Sequence, residues 1–287
     1  MNHEIRPLDA GLYLVATPIG SARDITLRAL DILASCDLIA AEDTRTARKL
    51  MEIHGVPLGK RQVVAFHDHS GAGQIDRLVG AIAAGQSVAC VSEAGTPLIA
   101  DPGYELALAV QAAGFAVTAA PGASAVLAAL AVAGLPTDRF AFLGFLSAAA
   151  VQRRTQLAEL RDLPFTLVIY ESPKRVHDLL TAACEVLGED RSAVVCRELT
   201  KKFEEVTRGT LGSLARDFEG RAVKGEVVVL VGRAGAQTVD DVDVEQALTE
   251  AMATMRIKDA ATAVAGALGL PRRQVYQTAL AMDRKDK

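Results

Sequence analysis

Three glycine-containing loops stand where the chain could bind a ligand. Each loop follows or opens an apolar run of the sequence. The three loops are Thr17-Pro18-Ile19-Gly20, Ser92-Glu93-Ala94-Gly95-Thr96-Pro97-Leu98-Ile99-Ala100-Asp101-Pro102-Gly103 and Pro121-Gly122-Ala123-Ser124-Ala125. Open α/β sheets bind ligands beyond the carboxyl ends of their strands, and glycine lets a ligand approach the main chain. The loops therefore predict a site lined by backbone, with Asp101 as a carboxylate beside it. Neither GxxxxGK[ST] nor GxGxxG occurs, so the common phosphate-binding loops lack support.

Three charged segments also follow apolar runs: Glu42-Asp43-Thr44-Arg45, Tyr170-Glu171-Ser172-Pro173-Lys174-Arg175 and Arg197–Glu205. The first suits a substrate pocket, but Asp43 or Thr44 could simply cap a helix. In the second, Ser172 as N-cap and Pro173 as first helical residue would be a complete structural explanation. The third is either a solvated face or a charged cluster beside an oligonucleotide. The residues alone leave these alternatives open.

Other kinds of catalytic site have little support. No HExxH and no Ser/His/Asp or Cys/His arrangement stands out. His67-Asp68-His69 is the one histidine cluster, and without a nearby cysteine a polar loop is favoured over zinc. Cys36, Cys90, Cys184 and Cys196 lie far apart and are interpreted as buried small hydrophobes. We predict no metal site. Charged groups converge on one site from several strands, which favours a cofactor enzyme over a pure binding module.

Apolar runs near 12–16, 37–41, 62–66, 87–91 and 115–119 alternate with helical patterns. A typical helix is expected from Ile25, with Asp24 as its N-cap. The alternation predicts a mostly parallel sheet covered by helices on both faces. A second set of strands is predicted at Phe140–Leu146, Phe165–Tyr170 and Ala193–Arg197. It ends in two further strands, at 203–209 and 226–232, that look more antiparallel.

The predicted fold class is α/β, with two α/β domains, a ligand cleft between them and a small C-terminal helical module. The expected ranges are 1–121, 122–235 and 236–287. In the last range, Ala265, Gly269 and Val275 fit a helix-turn-helix spacing, which would put Arg272 and Arg273 at the start of a recognition helix. A helical appendage used for packing or dimer contacts is the alternative.

Composition bounds the class of protein. Half of the 287 residues are hydrophobic, no tryptophan is present, and the net charge is −4. Basic residues are concentrated after residue 251, which hints at a polyanionic partner. No apolar run approaches the roughly 18 residues of a membrane span, and the first residues lack a signal-peptide pattern. We therefore expect a cytoplasmic protein without membrane association.

Nine motifs, in order along the chain, carry a resemblance to a known family. They are Thr17-Pro18-Ile19-Gly20, Asp24-Ile25-Thr26-Leu27-Arg28-Ala29-Leu30, Glu42-Asp43-Thr44-Arg45, Ala94-Gly95-Thr96-Pro97-Leu98-Ile99, Asp101-Pro102-Gly103-Tyr104, Pro121-Gly122, Gly134-Leu135-Pro136-Thr137-Asp138-Arg139-Phe140, Tyr170-Glu171-Ser172-Pro173 and Arg197-Glu198-Leu199-Thr200-Lys201. The chain resembles the bacterial 16S ribosomal RNA (cytidine-2′-O)-methyltransferase family, a branch of the tetrapyrrole methylase superfamily. The resemblance covers about residues 11–232, and the tail is similar to that family's helix-turn-helix appendage.

The resemblance implies S-adenosylmethionine as methyl donor, a homodimer, and a decoding-centre cytidine of 16S rRNA in the small ribosomal subunit, or its assembly intermediate, as target. The implied donor-binding residues are Pro18, Ala94, Gly95, Thr96, Pro97, Leu98, Ile99, Asp101, Ser124, Ala125, Tyr170, Glu171, Gly225 and Glu226. Three positions depart from the family pattern: Ser21 replaces asparagine, Glu93 replaces aspartate and Ser147 replaces proline. Glu93 keeps the charge, so donor binding is expected to survive.

The expected reaction needs a group that takes the proton of a ribose 2′-hydroxyl. Candidates for this catalytic role are Asp43, Glu42, Glu198 and Lys201, without a ranking. Candidates for RNA contact are Arg45, Arg175 and Lys202 in the body and Arg272 and Arg273 in the tail. Two alternatives are kept: a methylase of a corrinoid or porphyrinogen precursor, and a non-catalytic S-adenosylmethionine-responsive nucleic-acid-binding protein.

Overall fold

The structure is a computed structural model and describes residues 3–67, 70–234, 241–268 and 272–285. The chain divides into two compact units, Met1–Ala234 and Gly235–Lys287. Asp68 and His69 of the histidine cluster, and Gly269 of the helix-turn-helix pattern, lie outside the described residues. None of the helices in the described ranges combines the length and the apolar character needed to cross a bilayer.

The first sheet contains β1 (Gly11–Val15), β2 (Leu38–Ala41), β3 (Gln62–Ala65), β4 (Ser87–Val91) and β5 (Ala116–Ala120). Its strand order is β3-β2-β4-β1-β5, and all four pairs are parallel. Four helices cover it: α1 (Leu27–Ser35), α2 (Thr44–Ile53), α3 (Ala72–Ala83) and α4 (Tyr104–Ala112). β4 is buried along its whole length because α1 and α2 pack on one face and α3 and α4 on the other, as its continuous apolar run predicts.

The second sheet contains β6 (Phe140–Phe145), β7 (Thr166–Glu171), β8 (Ser192–Arg197), β9 (Glu205–Thr210) and β10 (Val227–Val231). The order is β6-β7-β10-β8-β9; only β6 and β7 pair in parallel, whereas the other three pairs are antiparallel. One face packs on α6 (Ala150–Glu159), α7 (Val176–Leu187) and α8 (Leu211–Asp217). The other face packs on α5 (Ala125–Ala133), which directly follows the first sheet.

Two helix starts differ from the sequence prediction. Thr26, rather than Asp24, caps α1: its side chain accepts a hydrogen bond from the Ala29 N–H, and Asp24 lies in a preceding 3-10 turn. Ser172 does not cap α7, which begins at Val176 after a turn. In both places the sequence pattern predicts a helix, and the helix begins a few residues later, after a short turn. Several residues there could begin a helix, so the local pattern does not fix the first one.

The C-terminal unit is a bundle of three helices, α9 (Asp241–Met252), α10 (Ile257–Leu268) and α11 (Arg272–Lys285). Its core contains Leu248, Ala265, Val275 and Ala279 among others. The burial of Ala265 and Val275 fits the role that the helix-turn-helix spacing gives them. The predicted domain limits at 121 and 235 stay predictions.

Candidate functional site

The three glycine-containing loops meet at one edge of the first sheet. They leave β1, β4 and β5, which are neighbours and parallel, so their carboxyl ends lie side by side. Thr17 and Gly95 exchange two backbone hydrogen bonds, of 2.8 and 3.0 Å, and Thr96 Oγ1 donates to the Ala123 carbonyl at 3.0 Å. A Cβ at Gly122 would stand 2.9 Å from Ala16 Cβ, so only glycine fits there. These contacts fix the loops to one another.

The loop after β4 contains two residues with backbone conformations that are unfavourable for their type. Leu98 and Ala100 have φ of 74° and 62°, in the left-handed region that L-residues rarely adopt. Each such residue costs about 1 kcal/mol or more and persists where the surroundings enforce it, often at ligand sites. Leu98 also packs beside Gly103, where a Cβ would be 3.0 Å from Leu98 Cδ1. The loop is therefore preformed.

The second sheet supplies the facing wall through the end of β7. Glu171 is 2% exposed, and its Oε1 accepts hydrogen bonds from the Ser172 N–H and from Arg175 Nε, both at 2.7 Å. Its other carboxylate oxygen, Oε2, is buried and has no hydrogen-bond partner among the described residues. A buried acceptor without a partner is costly, so Oε2 is suited to a donor group on a ligand.

A charged cluster supports the neighbouring part of the same wall. Lys201 Nζ donates to Glu198 Oε1 at 3.0 Å and to Glu226 Oε2 at 2.9 Å, while the Glu226 N–H donates to Glu198 Oε1 at 3.0 Å. Glu198 and Thr200 have φ of 52° and 64°. The Lys201 hydrogen bond is the main cause that lowers the pKa of Glu198. Partial burial of Lys201 acts to lower its pKa, but its bonds to Glu226 and Glu198 outweigh this and raise it.

The two sheets enclose a cavity of about 370 Å³, a size that suits a cofactor. Residues from every loop described above line it: Ile19, Glu42, Glu93, Ala94, Gly95, Thr96, Ile99, Ala100, Asp101, Ser124, Ala125, Phe145, Tyr170, Glu171, Ser172, Pro173, Gly225, Glu226, Val227 and Val228. Burial raises the pKa of Tyr170 to about 12, so its hydroxyl stays protonated at neutral pH.

The charge of the cavity wall indicates the ligand's charge. Among the described residues the lining includes five carboxylates, those of Glu42, Glu93, Asp101, Glu171 and Glu226, and no lysine or arginine. Opposite charges attract strongly where water is partly excluded. The cavity therefore favours a ligand with positive charge over a phosphate-rich one.

Most residues predicted to bind a donor line this cavity. The exceptions are Pro18, Pro97 and Leu98, which belong to the loops but are not in the wall. Ile19, Ala100, Phe145, Ser172, Pro173, Val227 and Val228 line the cavity and were not predicted to bind a ligand. Phe145, as an aromatic residue at the end of a predicted strand, is the one whose position could have signalled a ligand contact. The donor-binding roles themselves stay predictions.

The four catalytic candidates have different surroundings. Glu42 lines the cavity, and its Oε2 accepts the Glu93 N–H at 3.0 Å. Asp43 is the N-cap of α2 and accepts from the Arg45 and Thr46 N–H groups; its hydrogen bond from the Arg45 side chain lowers its pKa. Glu198 and Lys201 are bound to each other and are not in the cavity wall.

The predicted RNA-contacting residues lie on separate segments of the chain and have different surroundings. Arg45 is exposed but pairs with Asp43, and Arg175 is paired with the buried Glu171. Lys202 is exposed, with its Nζ 5.5 Å from the ring centroid of Phe203. Arg272 and Arg273 are exposed at the start of α11 in the second unit. Their RNA roles stay predictions.

The three departures from the family pattern have defined contacts. The Ser21 N–H donates to Thr200 Oγ1 at 3.1 Å, which ties the first loop to the second sheet. The Glu93 N–H binds Glu42, and Glu93 itself lines the cavity. Ser147 Oγ donates to Gln152 Oε1 at 2.9 Å, at the start of α6. No contact among these obstructs the cavity.

Comparison with known proteins gives matches for both units. Residues 11–215 match the family model of Tetrapyrrole (Corrin/Porphyrin) Methylases, and residues 238–283 match the RsmI C-terminal HTH domain. The chain is 44% identical over 276 residues to the Ribosomal RNA small subunit methyltransferase I of Mesorhizobium japonicum. The aligned region covers 96% of this chain and 93% of that protein. The protein of the same name from Mycobacterium tuberculosis is 42% identical over 275 residues, 96% of each chain.

A solved structure shares the fold at low sequence identity. Uroporphyrin-III C-methyltransferase from Thermus thermophilus, in complex with S-adenosylhomocysteine, aligns with a TM-score of 0.55 and 19% identity. The alignment covers 78% of this chain and 98% of that one.

Proposed function

We infer the function from the family: this chain belongs to the tetrapyrrole methylases and, within them, to the ribosomal RNA small subunit methyltransferases I. It transfers a methyl group from S-adenosylmethionine to 16S rRNA. We further propose the 2′-hydroxyl of a decoding-centre cytidine as the acceptor. The acid-lined cavity between the two sheets is the observation that carries this function.

The residues present fit the donor. S-adenosylmethionine carries a sulfonium and an ammonium group, and the carboxylates of the wall complement these positive charges, with Glu171 and Glu226 partly neutralised by Arg175 and Lys201. Glu171 Oε2 offers a buried acceptor that needs a donor group. When bound, S-adenosylmethionine supplies a methyl group on a positively charged sulfur. Asp101, Tyr170, Glu171 and the preformed loop at 94–101 would hold it.

We propose Glu42 as the group that accepts the proton of the 2′-hydroxyl. Of the four candidates, it alone lines the cavity, and the Glu93 N–H fixes one of its oxygens. The Glu42 carboxylate would take the proton of the hydroxyl group that accepts the methyl, so that positive charge does not build up on the hydroxyl oxygen. General-base help of this kind is worth roughly 10²–10⁴-fold in rate.

Glu198 and Lys201 would act by position. Their hydrogen bonds hold Glu226, which belongs to the cavity wall, in place. Fixed walls matter because correct placement of two reactants can remove several kcal/mol of the barrier. Asp43 would orient the start of α2, next to Glu42, through its capping bonds.

RNA would be held outside the acidic cavity by cationic groups. Arg45, Lys202, Arg272 and Arg273 are exposed and suit phosphate contacts, and Arg175 would contribute less because Glu171 neutralises it. The partner would be the small ribosomal subunit or its assembly intermediate, in the cytoplasm.

We also propose a homodimer, which is supported by the exposed apolar side chains of Tyr104 and Leu108, one turn apart on α4.

The decisive experiment is transfer of labelled methyl from S-adenosylmethionine to unmodified small ribosomal subunits, followed by nucleoside analysis. Label recovered as 2′-O-methylcytidine is the expected result. Label on a porphyrinogen control alone would replace the RNA substrate by a tetrapyrrole. Donor binding without transfer to either acceptor would favour a non-catalytic binding protein.

A further inference from the structure

The end of β6 contains an irregularity that changes the direction of one aromatic side chain. Phe142 pairs with Val168 and Phe145 with Tyr170, so three steps along β6 oppose two along β7. Gly144 lies within this irregularity with a φ of 60°, in the left-handed region that glycine adopts readily. In a regular strand Phe142 and Phe145 would point to opposite faces. The extra residue places both rings beside Tyr170, with centroid distances of 4.8 and 5.7 Å.

Phe145 is left partly uncovered in this position. It lines the cavity and is 57% exposed, whereas Phe142, on the same face, is partly buried against the α5 side of the sheet. Both rings meet Tyr170 edge-on, at interplanar angles of 67° and 65°. An exposed phenyl ring makes no hydrogen bonds to water, and its edge-on contact with Tyr170 favours one ring orientation. The bulge therefore presents an aromatic ring at the rim of the cavity.

The charge around the ring selects what can stack on it. The carboxylates of the cavity wall repel phosphate groups, so a nucleic acid can bring only an uncharged part close to the rim. Nucleobases are uncharged and flat, and specific RNA readers commonly stack an unstacked base on an aromatic side chain. The donor's adenine is the other flat group, and the affinity for the donor measured without RNA distinguishes the two.

We propose that Phe145 stacks on the base of the nucleotide whose ribose is methylated. This inference rests on the proposed function. Stacking at the rim would hold the target nucleotide out of its RNA helix while its ribose faces Glu42. Phe145 would thus contribute to binding of the acceptor and not to binding of the donor.

The test compares Phe145→Ala, Phe145→Leu and Phe145→Trp in the full-length protein, with small ribosomal subunits as acceptor. We expect KM for the subunits to rise about ten- to hundredfold in the alanine variant, the size of one lost base stack. The leucine variant should behave like alanine because it lacks a flat face, and the tryptophan variant should retain most of the wild-type value. Donor affinity, measured by calorimetry without RNA, should change less than twofold.

Phe142→Leu is the matched control because Phe142 also contacts Tyr170 but does not line the cavity. It should lower thermal stability and leave KM for the subunits unchanged. A parallel loss of donor affinity in Phe145→Ala would assign the ring to the donor and overturn the inference. A change in the oligomeric state of Phe145→Ala, or an unchanged KM for the subunits in that variant, would also overturn the inference. If wild-type protein transfers no methyl group to subunits, the proposed function itself has failed, and this is seen before any variant is compared.

Discussion

The carboxyl group of Glu198 occupies the space where a side chain at Gly225 would stand. A Cβ built on Gly225 lies 2.3 Å from Glu198 Cδ, and Gly225 has a φ of 87°. Glu198 is fixed there by Lys201 and by the Glu226 N–H. A glycine and a glutamate 27 positions apart thus depend on each other to shape one wall of the cavity.

Gly225→Ala should therefore lower both stability and donor affinity. The positive φ alone costs about 1–3 kcal/mol for an L-residue, and displacement of Glu198 adds to it. Denaturant unfolding and calorimetry with S-adenosylmethionine measure the two effects. Gly220→Ala is the matched control, because Gly220 also has a positive φ of 65° but no atom within 4 Å of its Cβ position. Equal losses in the two variants would show that the Glu198 contact is unimportant.

Acid should remove the stability that Glu198 contributes. The Lys201 hydrogen bond, followed by that of the Glu226 N–H, lowers the pKa of Glu198 in the folded state. A carboxyl group with a lowered folded pKa stabilises the protein fully above its unfolded pKa, about 4.3, and loses this contribution as the pH falls through the folded pKa. The stability difference between wild type and Glu198→Gln should therefore shrink in acid. Unfolding midpoints from about pH 3 to 7 test this, and a constant difference would contradict it.

Glu42→Gln should lower kcat about 10²–10⁴-fold, because it removes the proposed proton acceptor but keeps the shape of the side chain. Donor affinity should fall far less than kcat, because the other four carboxylates stay in the cavity wall. Asp43→Asn keeps a capping oxygen and should change kcat only a few-fold. Single-turnover methyl transfer to small subunits separates the two. A larger effect at Asp43 than at Glu42 would move the proton acceptor to the helix cap.

The cysteines should be almost inert in the folded protein. Burial raises the pKa of the Cys36 and Cys196 thiols to about 11 and that of Cys90 to about 12. Only thiolates react readily, so alkylation near neutral pH should be confined to the less buried Cys184 and be slow even there, since its pKa is also raised. Mass spectrometry after iodoacetamide treatment measures this, with the unfolded chain as control. Rapid labelling of Cys90 would mean that the first sheet opens easily.

Arg272→Ala combined with Arg273→Ala should weaken binding to small subunits and reduce its salt dependence. Each lost phosphate contact lowers the slope of log affinity against log salt by about 0.7–0.9. Lys258→Ala is the control, since Lys258 is also an exposed cation but lies on α10. Donor affinity should not change in either variant. An unchanged salt slope in the double variant would leave the C-terminal unit with a packing role.

The sequence predicted the scaffold because scaffold signals are local. Each strand of the first sheet lies in a short apolar run between turns, and β4 is buried along its whole length because it is covered on both faces. The loops after β1, β4 and β5 could be recognised from their glycines, and parallel pairing requires such loops to meet at one edge. The fold class and the family were determined at this level.

The tertiary structure decided what the charged and aromatic side chains do. The motif Glu42-Asp43-Thr44-Arg45 does not tell which carboxylate faces a cavity; capping uses Asp43 and leaves Glu42 in the wall. Lys201 could have been a free cation, but it is held by carboxylates from two segments. Phe145 faces the cavity only because of a bulge defined by pairing with β7. Partners distant in the sequence set these roles, since hydrogen bonds and ring contacts form between neighbours in space, and the local pattern does not specify those neighbours.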